Sequence, residues 1–264
     1  MKKKLIGLII GIFSFSIVSA SSATELKLAT FEPPKAFIAS KILAGWATKV
    51  NQCSAGALNV KMYAGGVLGS PPKQYDIVTS GVADISWTVL GYIGGQFPLS
   101  SVIELPFLTK TSKAGTTALN SLFKEGYLDK EMAGIKVIGL HSNPGYQIHM
   151  KDTKVVNPAD FKGKKMRVPS KIAGTILKTL GATGVKVPAP GTSEALSKGV
   201  VDGTPFPYTA VWSFRLFDVP KSHTEVNITN ATFGLIMNED KFNSLSSGAQ
   251  ACINKFSGHA FGDW

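Results

Sequence analysis

The order in which apolar patterns change period along this chain constrains its fold more than any single residue does. Residues 26–31 alternate apolar and polar positions, and Glu32-Pro33-Pro34 ends the run. From residue 36 to 51, Phe37, Ile38, Ile42, Leu43, Trp46, Ala47 and Val50 recur at the 3.6-residue period of an amphipathic helix. Residues 58–63 alternate again, 65–72 form a Gly- and Pro-rich loop, and 73–80 read as helix. A buried strand at 83–87, a helix at 113–123 and a strand at 135–140 continue the series. Strands alternating with helices of this length indicate βαβ units and a sheet covered on both faces.

A second block repeats the scheme, with a helical turn at 159–161, a strand at 165–168, a helix at 173–180, a strand at 185–187 and a helix at 193–198. Residues 232–238 then read as a strand returning to the first block. The expected fold class is α/β and bilobal, two α/β lobes joined by crossing strands. Lobe I is expected over 24–146, lobe II over 147–229, and the return to lobe I over 230–264. A mature chain of about 240 residues exceeds the usual size of a single domain, which favours two lobes.

The N-terminus carries Lys2-Lys3-Lys4, an apolar run from Leu5 to Val18, and small residues up to Ala23. A basic segment, a short apolar segment and small residues describe a secretory signal peptide, expected over 1–23 with cleavage after Ala20 or Ala23. The apolar run falls short of the roughly 20 residues that a spanning helix needs. The mature protein is therefore expected outside the cytoplasm, in the periplasm. Losing the three signal lysines takes the formal charge from +11 to +8. The remaining lysines are scattered, which fits a surface that attracts anionic solutes rather than nucleic acid. Cys53 and Cys252 can pair in an oxidising compartment, but spacing alone leaves that open. Two cysteines and four scattered histidines make no zinc pattern, and no cofactor is expected.

The chemistry concentrates in Phe161-Lys162-Gly163-Lys164-Lys165-Met166-Arg167-Val168-Pro169. Here one arginine sits in a short β-prone run, after a Lys/Gly turn and before a proline. Its planar fork matches a carboxylate with two parallel hydrogen bonds, so a strand-end arginine makes a selective anion anchor. Enzymatic signatures are missing: there is no Gly-x-Ser-x-Gly elbow, no Walker-type phosphate loop, and Gly91-Tyr92-Ile93-Gly94-Gly95 lacks dinucleotide spacing. The rival reading is a secreted α/β enzyme acting on an anionic small molecule, which requires an acid or base beside the anchor; His149 is the one candidate for that part.

Several loose motifs occur in order: Gly65-Gly66-Val67-Leu68-Gly69, Gly81-Val82-Ala83-Asp84-Ile85, Phe97-Pro98, Glu104-Leu105-Pro106-Phe107, the Asp160 to Pro169 segment, Ser193-Glu194-Ala195-Leu196 and Val201-Asp202-Gly203. Together they make the chain resemble the periplasmic solute-binding subunits of TRAP transporters (tripartite ATP-independent periplasmic transporters), the DctP-like family. The resemblance implies a receptor that closes two lobes around a small organic carboxylate and delivers it to the TRAP membrane permease subunits, with no catalysis.

It also implies that Arg167 binds the ligand carboxylate and that Ser170 makes a polar contact. Gln147 stands where some sugar-acid binders carry a second arginine, Phe206 where they carry an asparagine, and Phe31 where they are polar. These departures point to a ligand with one carboxylate and an apolar or aromatic body. With Trp87, His149, Thr192 and Phe233, these residues complete the candidate ligand set. Tyr92, Trp212 and His141 are further cleft candidates. Members of the family continue past residue 264 with a long helix spanning both lobes, so the sequence reads as truncated before that helix.

Overall fold

The computed structural model describes residues 23–263. The expected signal segment, Ala23 apart, lies outside the described residues. The first alternating run is strand β1 (Thr24–Thr30), in which Leu26 and Leu28 are fully buried while Glu25 and Lys27 face solvent. A π-helical turn at Ile38–Leu43 leads into helix α1 (Ala44–Cys53), which buries Trp46, Ala47 and Val50. Strand β2 (Leu58–Tyr63), helix α2 (Gln74–Thr79), strand β3 (Ile85–Val89), helix α3 (Ser112–Lys124) and strand β4 (Ile135–Ser142) follow.

After Ser142 the chain crosses to a second sheet. Its elements are β5 (Gln147–Met150), β6 (Lys165–Val168), α4 (Lys171–Thr179), β7 (Thr183–Lys186), α5 (Thr192–Ser197), β8 (Gly203–Phe206), α6 (Tyr208–Ser213) and β9 (Ser222–Thr224). The chain then crosses back into β10 (Thr232–Asn238) and ends in the short helices α7 (Glu239–Asn243), α8 (Ser247–Lys255) and α9 (His259–Gly262).

The first sheet has the order β2-β1-β3-β10-β4 and the second β7-β6-β8-β5-β9. In the first, β1 runs parallel to β2 and β3, whereas β10 is antiparallel to both β3 and β4. Every residue of β3 is buried, as is β10 from Thr232 to Met237, because helices cover both faces of a sheet built this way. In the second sheet, β6 lies parallel to both β7 and β8.

The two crossing segments hydrogen-bond to each other: Tyr146 N–H donates to Thr229 O at 2.7 Å, Ile228 N–H to Tyr146 O at 3.1 Å, and Ala231 N–H to Asn143 Oδ1 at 2.8 Å. This double strap is the connection between lobes. Cys53 of α1 and Cys252 of α8 are joined by a disulfide with Cα atoms 5.7 Å apart, closing a sequence separation of 199. Such a bond typically stabilises the folded state by roughly 2–4 kcal/mol, chiefly by restricting the unfolded chain.

Candidate functional site

The segment before Arg167 is built to aim it. Asp160 caps the turn at Pro158–Phe161 by accepting from the Val156 and Asn157 amides, both at 2.8 Å. Phe161 is buried beneath that turn. Gly163 adopts φ +74°, a conformation that favours glycine, and its amide donates to Gly181 O. Asp202 then accepts from the Lys165 amide at 2.8 Å, fixing the start of β6. Pro169 ends the strand, and Ser170 caps α4 by accepting from the Ala173 amide at 3.2 Å. Met166, Arg167 and Val168 are thereby held on a buried parallel strand.

The Arg167 guanidinium is 1% exposed and makes no ion pair; the ion pairs among the described residues all lie on the surface. Its Nε donates to Val187 O at 2.8 Å and one Nη2 proton to the Tyr92 hydroxyl at 3.2 Å. The Phe206 ring lies 4.9 Å from the guanidinium carbon. Nη1 is buried with no hydrogen-bond partner. An arginine stays charged, and burying an uncompensated charge costs several kcal/mol. The arrangement is a donor set short of one anion.

Tyr92 comes from the opposite lobe. Its hydroxyl oxygen accepts from Arg167 and from the Ala189 amide at 2.8 Å, leaving its own proton to donate. Burial holds the phenol above its ordinary pKa, so it remains protonated. Tyr146, at the crossing, is likewise pushed up by burial and feels the charge of Arg167. A neutral phenol thus touches the guanidinium, and a second lies within its electrostatic reach.

Aromatic rings enclose the rest. Phe31 lies 5.1 Å from Trp87, 6.1 Å from Tyr92 and 6.5 Å from Phe214, the last contact spanning the lobes. Trp87 stacks on Phe233 at 4.7 Å, and Phe233 on His141 at 4.9 Å. Trp87 Nε1 donates to His141 Nε2 at 2.8 Å, so this imidazole is neutral with its proton on Nδ1. Burial agrees, pulling its pKa down to about 4.

Of the residues expected from the sequence, the structure brings Arg167, Phe206, Phe31, Trp87 and Phe233 into this linked cluster. Four others have structural partners instead. Gln147 Oε1 accepts from the Val226 and Asn227 amides at 2.8 and 3.2 Å, and Nε2 donates to Asn227 Oδ1 and Gly145 O. All its hydrogen-bonding capacity goes into clamping the crossing segments. His149 is fully buried, bonded through Nε2 to Phe206 O at 2.9 Å and through Nδ1 to His223 at 2.7 Å. Thr192 starts α5 with its hydroxyl on Pro188 O. Ser170 donates to Glu104 Oε2 at 2.6 Å, a latch between lobes.

Trp212, by contrast, is 76% exposed and faces away from the cluster toward Phe217. Sequence reasoning did not single out Tyr146, Phe214, Glu104 or Glu32. A buried glutamate next to a strand end, as in Phe31-Glu32-Pro33, was the one local signal available. A broad apolar groove elsewhere between the lobes is lined by Gly91, Leu105, Phe107, Ile172 and Ile176, but Arg167 and the ring cluster do not form its walls.

A family model described as DctP, bacterial extracellular solute-binding protein, family 7, matches residues 28–260. The fold is similar to that of a marine metagenome TRAP solute-binding protein specific for aromatic acid ligands, in complex with 3-hydroxybenzoate. That likeness has 34% identity and TM-score 0.88, and covers 92% of this chain and 77% of the other. It is also similar to a TRAP solute-binding protein from Rhodoferax ferrireducens with copurified benzoate, at 32% identity and TM-score 0.87, covering 91% and 76%. A third likeness is a TRAP periplasmic solute-binding protein from Bordetella bronchiseptica with bound (R)- and (S)-mandelate, at 27% identity and TM-score 0.86, covering 91% and 77%.

Proposed function

The chain belongs to the DctP family, bacterial extracellular solute-binding protein family 7, and from that premise we propose that it is a TRAP receptor for an aromatic monocarboxylate held by Arg167. Members of the family are substrate-binding receptors and not enzymes, and the ligands of TRAP receptors are small organic acids. No helix among the described residues is long and apolar enough to cross a membrane. The receptor works in the periplasm after export and hands its ligand to the membrane permease.

The observation that carries this reading is the buried, unpaired Nη1 of Arg167 beside a ring cluster. A ligand carboxylate accepts from Nη1 and from the free Tyr92 proton, giving the guanidinium the counter-charge it lacks. Phe31, Trp87, Phe206 and Phe233 supply flat apolar walls, and an aromatic body buried there gains about 25 cal/mol for each Å² removed from water. Three similar solved proteins hold benzoate, 3-hydroxybenzoate or mandelate, each a molecule with one carboxylate and one aromatic ring. A sugar acid would bring hydroxyls that these walls leave unpaired, at about 1–3 kcal/mol apiece.

Binding switches the receptor because the anchor and its partners lie on different lobes. Arg167 and Phe206 belong to the second sheet, whereas Phe31, Trp87 and Tyr92 belong to the first lobe. Only the closed arrangement offers both sets of contacts, so ligand shifts the population toward it. The crossing segments absorb the rotation, as in hinge closure generally.

Calorimetry and thermal shift with benzoate, 3-hydroxybenzoate, mandelate, galacturonate and sialic acid test the reading. The aromatic acids are expected to bind and to raise the melting temperature, by about 2.7 kcal/mol of stabilisation at a hundredfold excess over Kd. Binding of the sugar acids with silence from the aromatic acids would refute it.

A further inference from the structure

We propose that Glu32 is a second specificity-determining residue of this pocket, accepting a hydrogen bond from a hydroxyl on the ligand's ring, so that the preferred ligands are hydroxylated aromatic acids. The inference rests on the reading of Arg167 as carboxylate anchor and of the ligand as an aromatic acid, and it goes further by assigning what recognises the far end of the ring.

Glu32 follows Phe31 where β1 ends. Its backbone is fixed on both sides: its amide donates to Thr30 Oγ1 at 3.2 Å, and its carbonyl accepts from Gly65 N–H at 2.8 Å. The residue is 5% exposed, its Oε2 is buried with no hydrogen-bond partner, and no cation among the described residues pairs with it. A buried carboxyl oxygen left without a donor is rare in a folded protein, because its desolvation goes uncompensated.

Its surroundings locate it at the pocket. Phe31, its neighbour, packs on Trp87 and Tyr92. The charge of Glu32 reaches Tyr92, the residue whose hydroxyl meets Arg167. Two buried, unpartnered polar atoms thus lie on opposite lobes, Nη1 of Arg167 beside the Phe206 ring and Oε2 of Glu32 on the residue that follows Phe31. One is a cationic donor and the other an acceptor. A ring bearing a carboxylate and a hydroxyl satisfies both. Burial raises the Glu32 carboxyl to about 7, and in either protonation state it retains an oxygen able to accept from a phenol or alcohol.

Glu104, the other buried carboxylate between the lobes, does not compete for this part. Its oxygens are taken by the Ser170 hydroxyl and the Thr232 amide. An apolar ring without a hydroxyl would leave Glu32 as it stands, so such a ligand binds through the anchor alone.

The test is calorimetry of the full chain with benzoate, 3-hydroxybenzoate and 4-hydroxybenzoate, on the parent and on Glu32→Met and Glu32→Gln, with thermal melts as the check on folding. The parent is expected to prefer at least one hydroxybenzoate over benzoate by about tenfold or more, the range for a hydrogen bond to a buried charged group. Glu32→Met, which keeps size and loses the acceptor, is expected to abolish that preference, read as the ratio of hydroxybenzoate to benzoate affinity. Glu32→Gln, which keeps one acceptor oxygen and serves as the second variant should the methionine variant fail to fold, is expected to retain only part of it. Equal binding of benzoate and both hydroxybenzoates by the parent, or an undiminished preference in the variants, would overturn the role of Glu32 while leaving the aromatic-acid reading intact. Failure of the parent to bind any of the three acids would overturn both, and benzoate alone tells these outcomes apart.

Discussion

In the proposed reading Arg167 anchors the ligand carboxylate, and two substitutions separate its charge from its shape. Arg167→Ala removes both, and truncating one partner of a buried charged hydrogen bond costs about 2–5 kcal/mol, so affinity for an aromatic acid should fall at least thirtyfold by calorimetry. Arg167→Lys keeps the charge but loses the fork: an ammonium cannot hold Val187 O, the Tyr92 hydroxyl and a carboxylate at once, so most of the affinity should go with it. Parent-like binding by either variant would mean that the anchor lies elsewhere. The buried strand-end placement of Arg167 was legible because its neighbours in sequence do the aiming: the Asp160 cap, the Gly163 turn and Pro169 are all local. Tyr92 was harder to read as a partner because it lies 75 positions away and meets Arg167 only across the lobes. Gln147, His149, Ser170 and Thr192 show the converse. Their positions suggested ligand contact, and their hydrogen bonds go to the protein's own backbone and side chains.

Among the elements, most were legible in the sequence pattern and three short strands of the second sheet were not. β6 and β10 fall where the sequence pattern puts them, over Lys165–Val168 and Thr232–Asn238. β5, β8 and β9 went unassigned for physical reasons. β5 has only four residues, two of them polar side chains that are nonetheless buried, β8 contains Pro205, which ordinarily argues against a strand, and β9 has three residues. β5 also carries a pH response through His149. Burial pulls the His149 pKa down to about 4; its bond to Phe206 O partly opposes this, and the charge of His223 adds to it. The unfolded chain takes up this proton near 6.5 and the folded chain resists until about 4, so the unfolded state binds more protons within that window. The contribution of His149 is therefore whole above pH 6.5 and is lost as pH falls toward 4, at up to about 1.4 kcal/mol per pH unit. Glu32, raised to about 7, runs the other way: its contribution is whole below about 4.5 and is lost as pH rises through 7. Comparing the parent with His149→Gln cancels Glu32. The stability difference, parent minus variant, should decline between pH 6.5 and 4 in denaturant titrations, and parallel curves would contradict the assignment.

For the molecule as a whole, the proposed function depends on how closely the lobes meet, and Gly91 lies at one close approach between them. Gly91 of lobe I faces Ser170 of lobe II so closely that a Cβ added there would sit 2.7 Å from the serine Cβ and 3.5 Å from its Cα. Ser170 cannot swing aside freely, because its hydroxyl both caps α4 and holds Glu104. The backbone at Gly91 is not in the left-handed region, so alanine is conformationally acceptable and its effect is confined to the contact. Gly91→Ala should therefore act as a wedge that disfavours the closed arrangement without touching Arg167 or the ring cluster. Overpacking of this kind costs about 1–3 kcal/mol. Because ligand needs the closed state, apparent affinity falls by the same factor as that state's population, roughly 5- to 150-fold. The unliganded melting temperature should change far less, since each lobe keeps its own core. Calorimetry on Gly91→Ala, paired with a fluorescence distance between labels on the two lobes, separates the possibilities. A weaker affinity with a longer mean distance fits a closure limit set at this contact. Parent-like affinity would mean that the Gly91–Ser170 approach plays no part in binding, and that the lobes seal around the ligand through the Phe31–Phe214 and Arg167–Tyr92 contacts alone.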